Sequence, residues 1–327
     1  MRAALAGIDA GSTRTQVLVE EPGGRRSAKD FGSVNPPSTG RPRPAALTEV
    51  WDWIRACGRA EEIVAWVGTA SMSPVTVEEV RSAFRAAVRR SSLHGVVVLT
   101  DDAVVPLLAA PLNGVGISGI VGTGTILLAR GTDGPLLQWG GYEYVLADQG
   151  GGFDIGLKGL RAGARAYDGR GPRTELLDCM QELYEGDIPR IGADLAGRAH
   201  PKQRVAEFAK SVCLAADAGD AVAGQIVAEA ATEIAEMFGI ASRALAGAAE
   251  RAAATGSVVA CCGSYERVLR TELGRLAPGL ALDVRRGSAD RALDLARVVR
   301  ETGQVPDALE SVPHVVLTTS RLGDGEA

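Results

Sequence analysis

The alternation of apolar and polar positions near the start of the chain predicts a β-hairpin. In residues 6–19, AGIDAGSTRTQVLV, two apolar runs flank a turn of glycine and hydroxyl-bearing residues. Such turns join strands because glycine supplies positive φ and short polar side chains bond to the local backbone. The pattern continues through the first half and predicts helices over about 45–57 and 77–91 and strands over 62–68 and 95–100.

The opening pattern returns near the middle of the chain. Residues 119–129, GIVGTGTILLA, again place two apolar runs around a turn of glycine and threonine. This repetition predicts two homologous halves, each with its own hairpin, and not an array of short repeats. Beyond it the pattern predicts a helix beginning within 150–156, mostly helical structure over 173–250, a buried strand over 256–264 (GSVVACCGS) and a last helix over about 288–301.

Composition narrows the class of protein. A chain of 327 residues with 46% hydrophobic residues can bury a large core and favours two domains over one. Because 35 basic residues face 40 acidic ones, there is no basic field for nucleic acid or an anionic membrane, so a small-molecule substrate is favoured. The first strand begins too early for a secretory leader and no apolar run is long enough to span a bilayer, so we expect a soluble, cytoplasmic protein.

Cysteine and histidine offer little chemistry. The five cysteines have no CxxC spacing and are expected to be reduced thiols in the core, with the adjacent pair Cys261 and Cys262 in a buried strand. The three histidines stand in no metal-binding pattern, so we expect no zinc site. There is no GxxxxGK[ST] loop, so any bound phosphate must be held by a different motif.

Asp9 lies at the first turn, and two interpretations of it are open. It shapes the hairpin, as aspartate does in many turns. Alternatively, the turn of Gly11, Ser12 and Thr13 cradles phosphate oxygens with backbone N–H groups and hydroxyls, and the Asp9 carboxylate positions Mg²⁺ with its waters. The residues alone leave these interpretations about even.

Three further polar residues carry the same ambiguity. Asp102 follows a buried strand, where it is either the cap of the next helix or a base that accepts a hydroxyl proton during phosphoryl transfer. Asp148, beside a run of glycines, either caps a helix or binds a sugar hydroxyl. Asn35 lies in the proline-rich segment 31–44, whose tip we expect to be mobile, and alone it is an ordinary turn residue.

The ordered set of motifs is more specific than any one of them. The chain resembles the actin, hexokinase and sugar-kinase superfamily, and more narrowly the N-acetylglucosamine kinase and BadF/BadG ATPase-type family, over roughly residues 5–300. The motifs that carry the resemblance are Gly7–Val19, TDDA at 100–103, GIVGTGT at 119–125, GGYEYVLADQGGGFDIG at 140–156 and ACCGS at 260–264.

The resemblance implies an α/β fold with two ribonuclease-H-like (actin-like ATPase) domains, a nucleotide cleft between them and an added helical layer in the second. We place the N-terminal domain at 1–112, the C-terminal domain at 113–301, with the last helix returning to the first domain as an open alternative, and a tail at 302–327. The implied ligands are ATP, Mg²⁺ and a sugar or sugar-like substrate, and relatives are commonly homodimers.

The resemblance also implies a role for each motif residue. Asp102 matches the catalytic base, and Asp9 belongs to the first phosphate motif and places Mg²⁺ through water. The implied ATP and phosphate residues are Gly11, Ser12, Thr13, Gly122, Thr123, Gly124, Gly263 and Ser264. The implied substrate residues are Asn35, Asp102, Gly141 and Asp148.

Two departures bear on the substrate. Gln149 stands where the family usually has glutamate, and residues 68–71, GTAS, replace a more glycine-rich turn. The leading hypothesis is an N-acetylglucosamine kinase forming the 6-phosphate, with glucosamine, another amino sugar, a cyclitol or a sugar-like antibiotic precursor as alternative substrates. Hypotheses of another class are an ATP-driven activase, which would need cysteines for an iron–sulfur cluster, and a non-catalytic sensor on the same fold.

Overall fold

The computed structural model describes residues 3–35, 42–72, 75–198, 201–246, 249–312 and 314–319. The chain divides into two compact units. The first takes its described residues from 1–114 and 287–327, and the second spans Val115–Arg286. The tip of the loop expected to be mobile, residues 36–41, lies outside the described residues.

The elements follow one another in a mixed α/β order. The strands are β1 (Ala4–Ala10), β2 (Arg14–Glu20), β3 (Arg26–Gly32), β4 (Glu62–Thr69), β5 (His94–Thr100), β6 (Gly116–Val121), β7 (Thr125–Arg130), β8 (Leu137–Gly140), β9 (Arg251–Thr255), β10 (Ala281–Arg285) and β11 (His314–Thr319). The helices are α1 (Pro44–Gly58), α2 (Val77–Arg90), α3 (Val104–Leu108), α4 (Glu143–Leu146), α5 (Gly152–Tyr167), α6 (Leu176–Tyr184), α7 (Ile188–Ala196), α8 (Lys202–Glu207), α9 (Ala209–Ala218), α10 (Ala221–Ala244), α11 (Ser257–Cys261), α12 (Gly263–Leu276) and α13 (Ala289–Thr302), with a 3₁₀ turn at Asp307–Ser311.

The first unit is built on a six-stranded sheet in the order β11-β5-β4-β1-β2-β3. The predicted hairpin is confirmed, because β1 and β2 pair antiparallel, while β1, β4 and β5 run parallel. Alternate residues of a strand point to opposite faces. Ala6 and Ile8 of β1 therefore join the core under α1 and α2, whereas Gly7 and Asp9 point to the other face.

Helix α13 covers that other face of the first sheet. A Cβ added at Gly7 would lie 2.1 Å from the carbonyl oxygen of Ala289, so only glycine lets the helix approach β1 this closely. The last helix thus belongs to the first unit, and the second unit ends at Arg286 instead of the predicted residue 301. The unassigned tail contributes β11, which pairs antiparallel with β5 at the sheet edge.

The second unit contains a five-stranded sheet in the order β10-β9-β6-β7-β8. The second predicted hairpin is confirmed by the antiparallel pairing of β6 with β7. Helices α6 to α10 form the helical layer expected over 173–250, and together with α5 their apolar faces share one core with the sheet. Within this layer, the Ala-rich stretch that begins at Lys202 is divided into two short helices, α8 and α9.

The strand predicted over 256–264 is wrong. The strand of this region, β9, ends at Thr255, and the residues after it form α11 and the start of α12. Gly256 ends the strand with φ +136°, where an added Cβ would lie 2.2 Å from the carbonyl oxygen of Val121. All five cysteines are free, but Cys261 is exposed on the short helix, so the expectation of core thiols fails there.

Among the described residues, no single helix combines the length and apolar character of a membrane span. Lys202–Ala218 and Ala221–Ala244 reach those limits only when they are taken together, and they are bent by 112°.

Candidate functional site

Asp9 lies at the carboxyl end of β1, directly before the turn of Gly11, Ser12 and Thr13. Its Oδ2 accepts a hydrogen bond of 2.8 Å from the backbone N–H of Ser288, the residue before α13. Burial raises the pKa of Asp9 above its ordinary value, and the Ser288 hydrogen bond opposes that rise. No sequence pattern marks Ser288, because its contact with Asp9 arises only when α13 packs on the sheet.

Gly68 brings Asp102 towards the same end of the sheet. It pairs with Asp9 in the parallel register of β1 and β4. A Cβ added at Gly68 would lie 3.1 Å from the Cα of Asp102, so the absence of a side chain allows the segment after β5 to approach β4. The negative charge of Asp9 contributes to the pKa of Asp102, as expected for two carboxylates at one edge of a sheet.

The two aspartates after β5 interact with the same turn and with each other. Asp101 Oδ1 accepts a hydrogen bond of 2.9 Å from the backbone N–H of Ala103, and burial raises the pKa of Asp101 to about 6. Burial raises the pKa of Asp102 well above its ordinary value, the charges of Asp101 and Asp9 add to the rise, and a hydrogen bond from the Ala103 N–H opposes it. Both aspartates thus contribute to the turn, and Asp102 is the one of the pair that also interacts electrostatically with Asp9.

Asn35 is buried and ties two strand ends together. Its Nδ2 donates to the Ala10 carbonyl at 2.7 Å and to the Thr69 hydroxyl at 2.9 Å. Its Oδ1 is also buried and has no hydrogen-bond partner within the described part of the chain. The amide nitrogen is thus committed to the fold, and the oxygen is the atom of Asn35 that remains for a ligand hydroxyl.

The turn of the second hairpin, Gly122 to Gly124, is fixed by its neighbours. The N–H of Gly152 donates to the Gly122 carbonyl at 2.7 Å, and the N–H of Phe153 donates to the Thr123 carbonyl at 2.9 Å. A Cβ at Gly124 would lie 2.4 Å from the Oδ1 of Asp148. The structure therefore brings together two motifs that the sequence predicted for different ligands, the phosphate turn and the sugar residue Asp148.

Asp148 is buried with φ +70° and is held from two sides. Its Oδ1 accepts a hydrogen bond of 2.9 Å from the N–H of Thr125, at the end of the phosphate turn. Its Oδ2 lies 2.9 Å from the Nζ of Lys202 on α8. Lys202 has no sequence signal, because it opens an ordinary helix far along the chain from its partner.

Gly141 lies close to the second hairpin, on the segment that leads to Asp148. Its N–H donates to the Thr125 carbonyl at 2.9 Å, and its φ of +74° favours glycine. A Cβ there would lie 2.8 Å from the Cδ1 of Ile126. Gly141 therefore fixes the chain beside β7. Gln149, the residue that departs from the family pattern, is exposed.

Gly263 and Ser264 open α12 instead of ending the predicted strand, and their N–H groups are occupied. Asp217 on α9 accepts from Gly263 at 3.0 Å and from Ser264 at 2.7 Å. Burial opposes ionisation of Asp217, but its hydrogen bonds outweigh burial and lower its pKa. A ligand at these two N–H groups would have to displace the Asp217 carboxylate.

The expected Mg²⁺ site has few candidate protein ligands. The described residues contain no cluster of three or more histidine, cysteine, aspartate or glutamate side chains arranged for a metal ion. Mg²⁺ often takes only one or two protein carboxylates and keeps several waters. The oxygen donors of Asp9 and Asp102 at one sheet edge fit such an ion, because a cation offsets the repulsion that raises the pKa of Asp102.

The two units share one plan, an antiparallel hairpin with a glycine-rich turn extended by parallel strands, which is the plan of the actin-like fold. The chain belongs to the BadF/BadG/BcrA/BcrD ATPase family, whose sequence profile matches residues 6–273. The resemblance found in the motifs is thereby confirmed.

Named relatives of this chain are sugar kinases. It is 28% identical over 160 residues to the N-acetylmuramic acid/N-acetylglucosamine kinase of Clostridium acetobutylicum, covering 48% of this chain and 51% of that one. It is 31% identical over 164 residues to the glucosamine kinase of Vibrio cholerae, covering 50% and 54%. The matches thus span about half the length of these curated relatives.

A solved structure shows the same fold. A candidate N-acetylglucosamine kinase from Porphyromonas gingivalis superposes with a TM-score of 0.69 at 17% identity, covering 92% of this chain and 100% of that one. The expected fold class, two α/β domains of the actin-like type with helices added to the second, is confirmed.

Proposed function

We propose that the protein is an ATP-dependent kinase that phosphorylates a hydroxyl of an amino sugar, with N-acetylglucosamine converted to N-acetylglucosamine 6-phosphate as the leading reaction. The observation that carries this proposal is the pair of carboxylates Asp9 and Asp102 at one edge of the first sheet. The electrostatic interaction of Asp102 with Asp9 supports this pairing.

The acceptor hydroxyl needs a base, and Asp102 is the group proposed for it. The carboxylate takes the hydroxyl proton as the oxygen attacks the γ-phosphorus of ATP, the bond from that phosphorus to the bridging oxygen breaks, and ADP leaves. The raised pKa of Asp102 supports this role, since a base with a pKa closer to the working pH accepts a proton more readily than an ordinary aspartate does.

The phosphate contacts are proposed for the two glycine-rich turns. Gly11, Ser12 and Thr13 supply one set of N–H and hydroxyl donors, and Gly122, Thr123 and Gly124 supply the other. Gly263 and Ser264 are proposed to lie on the adenosine side, held by Asp217. Asp9 would hold Mg²⁺ through water, and the ion when bound would neutralise phosphate charge.

The sugar contacts are proposed for Asn35 and Asp148, with Gly141 leaving room for the ligand. The unpartnered Oδ1 of Asn35 supports this assignment, because a buried acceptor without a partner is costly until a hydroxyl donates to it. The curated relatives are named for N-acetylmuramic acid, N-acetylglucosamine and glucosamine, which supports an amino sugar as the substrate class. We further propose a cytoplasmic homodimer without nucleic-acid or membrane partners.

A coupled assay of ADP release tests the proposal. The protein with MgATP is screened against N-acetylated sugars, free amino sugars and cyclitols, and the product is identified by mass and by the position of its phosphate. We expect turnover that depends on both sugar and Mg²⁺. ATP hydrolysis that no sugar stimulates, together with iron and a charge-transfer absorption in anaerobically purified protein, would favour the activase hypothesis instead.

A further inference from the structure

Lys202 lies between two carboxylates beside the proposed sugar residue. Its Nζ is 2.9 Å from the Oδ2 of Asp148 and 2.8 Å from the Oε2 of Glu143. The Asp148 side chain is 4% exposed and the Lys202 side chain 16%, whereas the Glu143 side chain is 74% exposed. The contact with Asp148 is therefore the buried ion pair, and the contact with Glu143 lies at the surface.

These exposures decide which contact matters electrostatically. An ion pair at the surface contributes little to stability because water screens it. A buried carboxylate, in contrast, is costly to ionise unless a positive charge lies beside it. Burial opposes the charge of Lys202, but the bonds to Glu143 and Asp148 outweigh it and raise the pKa of Lys202. The Lys202 ammonium group thus lies as the positive partner beside the buried Asp148 side chain.

We infer that Lys202 selects the acceptor sugar by its charge. The site takes a neutral, N-acylated amino sugar in preference to one that carries a free ammonium group. The inference rests on the proposed function, in which Asp148 binds the sugar. Because Lys202 already supplies the positive charge that Asp148 requires, the sugar need bring none, and an ammonium group near Asp148 would be repelled by the Lys202 ammonium.

The same geometry predicts what happens without Lys202. Lys202→Met keeps most of the side-chain length but leaves the Asp148 carboxylate buried without its cation. A protonated amino sugar would then provide the missing charge, whereas a neutral sugar would not. The substrate preference should shift from N-acetylglucosamine towards glucosamine.

The chain offers a matched control in the same unit. Lys158 Nζ lies 2.9 Å from the Oδ2 of Asp154, an ion pair one turn apart on α5. Lys158→Met removes a lysine from an aspartate of comparable geometry without touching Asp148. A general effect of losing one positive charge would appear in both variants, while a charge-selecting role belongs to Lys202 alone.

The test measures kcat/KM for N-acetylglucosamine and for glucosamine, at a pH where the glucosamine amine is protonated, in wild-type, Lys202→Met and Lys158→Met proteins. We expect the wild type to favour N-acetylglucosamine, Lys202→Met to shift the ratio at least about tenfold towards glucosamine, and Lys158→Met to retain the wild-type ratio. Melting temperatures establish that each variant is folded.

A double variant keeps the test decisive if the single one folds poorly. Asp148→Asn combined with Lys202→Met removes both buried charges, so the shift towards glucosamine should disappear even though sugar affinity falls. A wild type that prefers glucosamine, or an unchanged ratio in folded Lys202→Met, would overturn the inference and leave the kinase intact. A wild type that phosphorylates no sugar would overturn the proposed function and this inference together.

Discussion

The adjacent carboxylates after β5 predict that two conservative substitutions will separate stability from catalysis. Asp101→Asn and Asp102→Asn each replace a half-buried carboxylate by an uncharged group of the same size. Burial raises the pKa of Asp101 from its ordinary value of 3.8 to about 6 in the folded protein. Between these values the folded state retains a proton that the unfolded state has lost, so stability falls as the pH rises through this window.

The magnitude for Asp101 follows from that rise. A pKa raised from 3.8 to about 6 corresponds to about 3 kcal/mol of lost stability once the pH exceeds both values. Asn can still accept from the Ala103 N–H through its Oδ1, so the local turn survives. We expect Asp101→Asn to recover up to about 3 kcal/mol at pH 8, about half of that at pH 5 and almost nothing below pH 3.8.

Asp102→Asn should also stabilise the fold but abolish most of the turnover. The charges of Asp9 and Asp101 disfavour ionised Asp102, and the amide relieves this repulsion. The amide cannot accept the hydroxyl proton, so kcat should fall by at least about two orders of magnitude, whereas Asp101→Asn should retain most of the activity. Asp101 thereby serves as the matched control for its neighbour.

Urea denaturation at pH 5 and pH 8, in EDTA without nucleotide, measures the stabilities, and coupled ADP release with MgATP and sugar measures kcat. A gain for Asp101→Asn that is equal at both pH values would refute the electrostatic reasoning, because the cost must grow with ionisation. Near-wild-type turnover in Asp102→Asn would remove Asp102 from the proposed mechanism.

Three other perturbations test the packing and the phosphate turns. Gly7→Ala places a Cβ 2.1 Å from the Ala289 carbonyl oxygen and should lower the free energy of unfolding, measured by urea denaturation, by about 1–3 kcal/mol or more. Gly274→Ala, in open space on a helix, should raise it by about 0.5–1 kcal/mol. Equal effects of the two substitutions would contradict the close approach of α13. Gly124→Ala forces a Cβ to 2.4 Å from Asp148 and should raise the KM for ATP in steady-state assays, and an unchanged KM would argue against a phosphate role. MgATP should raise the melting temperature in differential scanning fluorimetry and EDTA should remove the increase; no shift at millimolar nucleotide would count against ATP binding.

Local turn chemistry allowed much of the fold to be predicted from the sequence. Both hairpins follow from apolar runs around short glycine-rich turns, and the segment 256–264 failed because a short apolar run has no period that separates strand from helix. The dense Ala-rich helical layer was visible from composition and length. In contrast, β11 could not be anticipated, since its pairing with β5 joins residues far apart along the chain.

The site was predicted as a set of motifs, but their contacts were not. Asp102 and Asp148 were proposed as site residues because each lies in a recognisable pattern, whereas Lys202, Asp217 and Ser288 lie in ordinary sequence and meet their partners only through tertiary contacts. Each of these three lies on a different element from its partner, and no local signal marks it. Sequence patterns can locate residues whose role depends on their neighbours along the chain. Residues whose partners are distant in sequence are identified only once the tertiary packing is known.

The interrupted first unit has a consequence for synthesis on the ribosome. Residues 115–286 are complete while α13 and β11 are still to be translated. Until then the nascent β5 has an open edge of N–H and C=O groups, and Gly7 faces no helix. We therefore expect the second unit to be synthesised in full before the first can close, and β5 to be an aggregation-prone edge until β11 emerges.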